Sequence, residues 1–141
     1  MPNRNIARWM TRHVVTVAPG ADLDTADALM HRHDVSRLLV MEGPRLVGIL
    51  SRGDLRAAKV AAAADVRDYH HVPTVADAMT PGPITIPVNA TIALAAQTML
   101  KLKVGGLPVV DPHGRVCGIV SQSDLCRFIV DLAHDTRRDA A

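Results

Sequence analysis

The chain carries the same statement twice. Gly48-Ile49-Leu50-Ser51-Arg52-Gly53-Asp54-Leu55 and Gly118-Ile119-Val120-Ser121-Gln122-Ser123-Asp124-Leu125 both read G-I-aliphatic-S-x-x-D-L. Met10-Thr11 recurs as Met79-Thr80, an offset of 69 residues that also pairs Thr16 with Thr85, Ala26 with Ala95, Met30 with Met99, Val35 with Val104, Leu38 with Leu107 and Val40 with Val109. After one inserted residue near Pro112 the offset is 70, and it pairs Arg45 with Arg115, Gly48 with Gly118, Ser51 with Ser121 and Asp54 with Asp124. A repeat of this length is a duplicated supersecondary unit, and it predicts two equivalent ligand sites.

Each copy reads strand, helix, strand, strand, helix. In the first, the β-branched run Val14 to Val17 stops at Pro19-Gly20, and Asp22 or Asp24 can cap a helix whose apolar residues Leu23, Ala26, Leu29 and Met30 have helical spacing. Leu38 to Met41 is an apolar strand, Glu42-Gly43-Pro44 a turn, and Arg45 to Leu50 the returning strand of a hairpin. Ser51 starts a helix running into the alanine-rich stretch Ala57 to Ala64. The second copy repeats this plan. Ile84 to Ile86 is a strand, Thr91 caps a helix bearing Ile92, Leu94, Ala95, Met99 and Leu102, and Leu107 to Val110 and Val116 to Val120 flank the turn Asp111 to Gly114. The last helix runs from Ser121 to about Ala133, and Asp135 to Ala141 is a polar tail. Residues 1–64 are thus the first repeat with its N-terminal segment, 65–74 a linker, and 75–141 the second repeat with its tail. Val75 to Met79, begun by Thr74, is a short turn matching Ile6 to Met10, and Met30 and Met99 are core.

At 141 residues and 48% apolar content the chain can bury a real core, as one domain or as two halves that share it. The core is aliphatic, because Trp9, Tyr69 and Phe128 are the only aromatics. That scarcity, with a net charge of +2, argues against nucleic-acid binding, which needs stacking platforms or a strongly basic surface. Arg4, Arg8, Arg12 and His13 form one basic cluster, read as a solvated helix face. No run is apolar enough to span a bilayer and the N-terminus has no signal-peptide pattern, so a cytoplasmic location is expected. Cys117 and Cys126 are too few for a disulfide framework, and Cys117, inside an apolar strand, reads as a buried thiol. His31 and His33 point to different faces of a helix, and His70-His71 lack Cys or acidic partners at ligand spacing, so no metal site is expected. Ser51 and Ser121 have no histidine at a fixed offset, so no nucleophile–base pair, and no enzyme activity, is expected.

The chemistry of the repeat lies in its Ser and Asp. Three apart across a helix start, they form a capping box and complement the helix dipole. That plain reading needs no ligand. The same groups can act differently: a carboxylate at a helix start accepts hydrogen bonds from a ribose diol, while a hydroxyl and free N–H groups hold phosphate. Gly48 and Gly118 lack a side chain where a ligand or another strand could approach closely.

The ordered set of Met-Thr, strand, helix, an apolar strand and G-I-aliphatic-S-x-x-D-L, occurring twice, with Leu107-Pro108-Val109 in the second copy and Leu38-Leu39-Val40 in the first, resembles the CBS domain, named after cystathionine β-synthase. The resemblance covers about residues 6–62 and 75–131. It implies an α/β (α+β) fold of tandem β-α-β-β-α repeats packed as a pseudo-two-fold pair. It also implies a regulatory module without a catalytic cofactor, with adenosine-containing ligands in two clefts between the repeats, and frequent dimers. Carried over residue by residue, Asp54 and Asp124 match the ribose-binding Asp, and Ser51 and Ser121 the hydroxyl near ribose or phosphate. Thr16, Val17 and Ile86 match the early strand whose backbone meets the adenine edge. Ser36-Arg37 and Gly105-Gly106 match the pair facing phosphate. Arg37 and Arg52 offer charge to a phosphate, whereas their counterparts Gly106 and Gln122 do not, so the two sites need not be equivalent. The expected ligand is AMP, ADP, ATP or an S-adenosylmethionine-type molecule, and the expected assembly is a homodimer acting on a further, regulated protein. The competing reading is a ligand-free dimerisation or docking module in which the S-x-x-D boxes are only caps.

Overall fold

The computed structural model describes residues 3–64 and 71–140. Of the expected linker, residues 65–70 lie outside the described residues.

The two copies of the repeat build two small mixed sheets. In the first copy β1 (Thr16–Val17) lies parallel to β2 (Arg37–Glu42), which pairs antiparallel with β3 (Arg45–Ser51). In the second copy β5 (Ile86–Pro87), β6 (Gly106–Val110) and β7 (Val116–Ser121) repeat this arrangement. The hairpin registers match: Arg37 faces Ser51 as Gly106 faces Ser121, and each hairpin carries one irregularity, at Val40/Met41 and at Val109/Val110. Each first helix buries part of the apolar set read from its spacing, while Leu29 is half-buried and Leu94 and Leu102 are exposed. On α2 (Leu23–His33) the buried residues are Leu23, Ala26 and Met30, under an Asp22 cap that accepts from the Thr25 N–H at 2.8 Å. On α5 (Ile92–Leu102) they are Ile92, Ala95 and Met99, under a Thr91 cap that accepts from the Leu94 N–H at 3.1 Å.

Packing divides the chain differently from the repeat boundaries 1–64 and 75–141. One compact unit is Val14–Pro83, and the other joins the residues up to His13 to those from Ile84 onward. The physical reason is the open edge that β3 and β7 each leave, since an unpaired edge of N–H and C=O groups seeks a partner. In the first unit β4 (Thr80–Pro81) fills that edge, pairing with Gly48 and Ile49. In the second unit Thr11 does so, with Thr11 N–H to Ile119 C=O at 2.8 Å and Ile119 N–H to Thr11 C=O at 2.9 Å. The short helices before these segments dock in matching ways. For α4 (Val75–Ala78), Val75 N–H donates to Ala21 C=O at 2.8 Å; for α1 (Ile6–Trp9), Ile6 N–H donates to Ala90 C=O at 2.9 Å.

Each unit has its own aliphatic core. Val17, Leu23, Met30, Leu38, Val40, Leu50, Leu55 and Val75 belong to the first. Ile6, Met10, Ile86, Met99, Leu107, Val109, Val120 and Phe128 belong to the second, where Trp9 meets Phe128 edge-to-face with centroids 5.6 Å apart. Two of the N-terminal arginines have contacts of their own. Arg8 lies over the Trp9 ring and Arg12 donates to the Ala7 carbonyl at 2.9 Å.

The last helices are α3 (Arg52–Ala64) and α6 (Gln122–Ala140). The second runs past Ala133 to Ala140, into the stretch read as a polar tail. No Gly or Pro stops it, and the Thr136 hydroxyl bonds back to the Leu132 carbonyl at 3.0 Å. In the first unit Lys59 ties α3 to α2 through Asp27 at 2.9 Å and Asp24 at 3.4 Å. The Lys59 hydrogen bond holds the Asp27 carboxyl below its ordinary pKa. Asp77 at the start of α4 is likewise lowered, first by the Thr74 N–H it accepts at 2.8 Å and then by His71. Cys117, read from sequence as a buried thiol, is only half-buried; desolvation still pushes its thiol pKa up, and the thiol donates to the Val109 carbonyl. Among the described residues, no helix is long and apolar enough to cross a membrane.

Candidate functional site

Apart from Thr16, Val17 and Ile86, the residues singled out in sequence fall on two matching corners, where a hairpin's second strand turns into a helix. The chain leaves β3 at Ser51 and enters α3 within one residue, so Asp54 sits in the first helical turn. Ser51 and Asp54 bond reciprocally: Ser51 N–H donates to Asp54 Oδ2 at 3.1 Å, and Asp54 N–H to Ser51 Oγ at 3.0 Å. Sheet register brings Arg37 opposite Ser51, and Arg52 N–H donates to the Ser36 carbonyl at 2.8 Å. Ser36, Arg37, Ser51, Arg52 and Asp54 therefore share one end of the first sheet. The two arginines are partly engaged there. The Arg52 guanidinium donates to the Val35 carbonyl at 3.0 Å, and that of Arg37 to Ser36 Oγ at 3.4 Å.

The second corner is built alike. Gly106 pairs with Ser121, Gln122 N–H donates to the Gly105 carbonyl at 3.0 Å, and Asp124 lies in the first turn of α6. The early strands stand farther along each sheet. Thr16 and Val17 pair with Leu39 and Val40, and Ile86 with Val109. Val17 and Ile86 point their side chains into the cores, so toward a ligand these positions offer backbone, plus the exposed Thr16.

The corners differ in what surrounds the carboxylate. Asp54 is half-buried, whereas Asp124 is fully buried. Asp124 Oδ2 accepts from Ser121 N–H at 2.8 Å and Ser121 Oγ at 3.2 Å. Its Oδ1 accepts from Thr11 Oγ1 at 3.4 Å and pairs with the Arg127 guanidinium. Sequence reasoning passed over both Thr11 and Arg127. Arg127 was findable, because residues three apart on a helix are neighbours. Thr11 was not, because it reaches Asp124 across 113 residues of chain.

What the corners can do follows from these groups. Each presents a carboxylate at a helix start, a serine, and backbone N–H groups close to a sheet end, the set that can accept a diol and hold an anion. A separate cavity of about 230 Å³ lies at the far end of α3, lined by Asp22, Leu23, Asp24, Lys59, Ala62, Val72 and Pro73, and contains none of these residues. Among the described residues, no three His, Cys, Asp or Glu side chains gather as a metal site would require.

Comparison with known proteins agrees with the fold. The family model described as CBS domain matches the chain twice, over residues 4–61 and 75–131. An inosine-5'-monophosphate dehydrogenase of Korarchaeum cryptofilum is 33% identical over 117 residues, covering 83% of this chain; the chain spans only 22% of that relative's own length. Among solved structures, CBSX2 in complex with AMP aligns with a TM-score of 0.75 and 28% identity, over 93% of this chain and 99% of that one. CBSX2 is a CBS-pair protein of Arabidopsis thaliana. The CBS domain pair of protein MJ0100, in complex with 5'-methylthioadenosine and S-adenosyl-L-methionine, aligns with a TM-score of 0.76 and 25% identity, over 89% of this chain and 98% of that one.

Proposed function

The chain belongs to the CBS domain family, and from that premise we propose that it is a regulatory module, not an enzyme, that senses an adenosine-containing ligand. One observation carries the reading: the fold rebuilds the same Ser–Asp corner twice, with the carboxylate on the first helical turn at a sheet end. The ligands of CBSX2 and of the MJ0100 pair share an adenosine, whose ribose diol is the group such a carboxylate accepts. The roles are those assigned residue by residue in the sequence. Asp54 and Asp124 take the ribose and Ser51 and Ser121 stand beside it. Ser36-Arg37, Arg52 and Gly105-Gly106 serve the phosphate end, and the backbone of Thr16, Val17 and Ile86 meets the adenine edge. A cytoplasmic location is part of the same reading.

The test is calorimetry and thermal shift with AMP, ADP, ATP, 5'-methylthioadenosine and S-adenosylmethionine. A true ligand at a hundred times its Kd stabilises the fold by about 2.7 kcal/mol. Asp54→Ala is expected to weaken binding at its corner by about ten- to a hundredfold, the worth of charge-assisted hydrogen bonds, while circular dichroism stays native. If no adenosine compound binds, the ligand reading falls. The docking reading then stands, which the already satisfied carboxylate of Asp124 favours in its half.

Assembly is the second part of the proposal. Among the described residues, exposed large apolar side chains concentrate in the second unit: Leu94, Leu100 and Leu102 on α5, and Ile129 and Val130 on α6. Cys126, Ile129, Val130 and Ala133 are all exposed on α6 at helical spacing. The face fits a second copy of the chain. Light scattering is expected to give a dimer mass at micromolar concentration, and Ile129→Glu with Val130→Glu to give a monomer. A monomer from the unmodified protein counts against it.

A further inference from the structure

We propose that Arg127 is a stopper on the Asp124 carboxylate, which a ligand's ribose must displace before the second corner fills. The inference rests on the ligand reading above and adds an order to it: the Asp54 corner fills first.

A carboxylate offers about four acceptor positions. At Asp124 the Ser121 N–H, the Ser121 hydroxyl, the Thr11 hydroxyl and the Arg127 guanidinium occupy them all. A diol brings two donors to a group with no place left for them. At Asp54 the Ser51 N–H donates to Oδ2, and among the described residues nothing donates to Oδ1. Where Arg127 follows Asp124 by three residues, Ala57 follows Asp54, and Ala57 has no donor to give. Two corners built from one repeat thus differ by a charged group on one of them.

Of the four donors, Arg127 is the one that can swing wholly clear of the carboxylate into water. The Ser121 N–H is backbone at a helix start, and its hydroxyl belongs to the same residue. The Thr11 backbone is fixed by paired bonds to Ile119 at 2.8 and 2.9 Å, so its hydroxyl can turn but stays beside the carboxylate. The Arg127 side chain is 59% exposed while that of Asp124 is 1% exposed. Rotated outward, the guanidinium recovers full hydration, and the ion pair lost is one that water already reaches from one side. The carboxylate it uncovers is left buried and short of donors, which is the state a ribose diol relieves.

The experiment is calorimetric titration with adenosine, which has the diol and no phosphate. Four proteins are compared: wild type, Asp54→Ala, Asp54→Ala with Arg127→Ala, and Ala57→Arg. In the Asp54→Ala background the remaining binding reports the second corner, and removing Arg127 is expected to tighten it about fivefold. Ala57→Arg, a change at an exposed helix position, is expected to install a stopper on Asp54 and weaken the first binding event by a similar factor. Unchanged or weaker second-corner binding on removing Arg127, or a second corner that stays empty in every protein while the first fills, overturns the stopper alone. No binding by any of the four overturns the ligand reading and the stopper together.

Discussion

Replacing Asp124 by Ala is expected to cost the fold about 2–3 kcal/mol, where replacing Asp54 costs about 0.5–1 kcal/mol. The two residues are repeat equivalents, so sequence alone assigns them equal worth. Their surroundings separate them. Asp54 is half-buried and closes one capping box with Ser51, and truncation there removes a cap whose N–H groups water can still reach. Asp124 is fully buried and collects Ser121, Thr11 and Arg127. Truncation leaves the Ser121 N–H without its acceptor and opens a small void. A buried donor without a partner costs about 1–3 kcal/mol, more than a made hydrogen bond contributes. The penalty stays below that of a fully buried ion pair, about 3–5 kcal/mol, because Arg127 can turn to solvent. Urea unfolding of both variants measures the difference. Equal losses would mean that the additional partners of Asp124 contribute nothing to stability. Asp124→Asn separates shape from charge: it fills the void yet sets an amide against donors, and should fall between wild type and Ala.

The contrast between these two residues also marks how far the sequence could be read. The offset repeat located both hairpins, both capped helices and the Ser–Asp corners, because these depend on local signals: alternating turn residues, helical spacing, and a cap beside an apolar run. The family followed from the order of those signals. Elements defined by a distant partner were hidden. Thr80–Pro81 has no strand pattern of its own and is a strand only because Gly48 and Ile49 lie beside it. The strands β1 and β5 shrink to two residues each for the same reason, since only Thr16–Val17 and Ile86–Pro87 find a parallel neighbour. The exchange of the Met-Thr segments was hidden too. A segment carries no mark of which edge it will fill, so residues 1–13 were grouped with the repeat that follows them in the chain. What sequence did hold was the vacancy for them, in Gly48 and Gly118.

Those two glycines carry the other large expected effect. Gly118→Val is expected to destabilise the second unit by about 3 kcal/mol, the upper end of overpacking penalties. A Cβ on Gly118 would stand 2.8 Å from Met10 Sδ and 2.9 Å from the Thr11 carbonyl oxygen. The thioether can move aside. The carbonyl cannot, because it accepts the Ile119 N–H at 2.9 Å and is part of the pairing that attaches the N-terminal segment. The segment must therefore lift off. It takes the buried side chains of Ile6 and Met10 with it, along with the Thr11 hydroxyl that reaches Asp124. Trp9, the only tryptophan, sits on that segment against Phe128, so its fluorescence reports the event directly. Gly118→Val should shift Trp9 emission to the red at denaturant concentrations where circular dichroism is still native. Gly48→Val supplies the control. Its Cβ would overlap the Met79 thioether and stand 3.1 Å from the Thr80 carbonyl oxygen, so it too is destabilising, but in the unit that holds no tryptophan. Its early fluorescence should match wild type. A Gly118→Val protein that keeps wild-type stability and a buried Trp9 signal would show that β7 tolerates a side chain there. The need for close approach would then not explain the glycine shared by the two repeats.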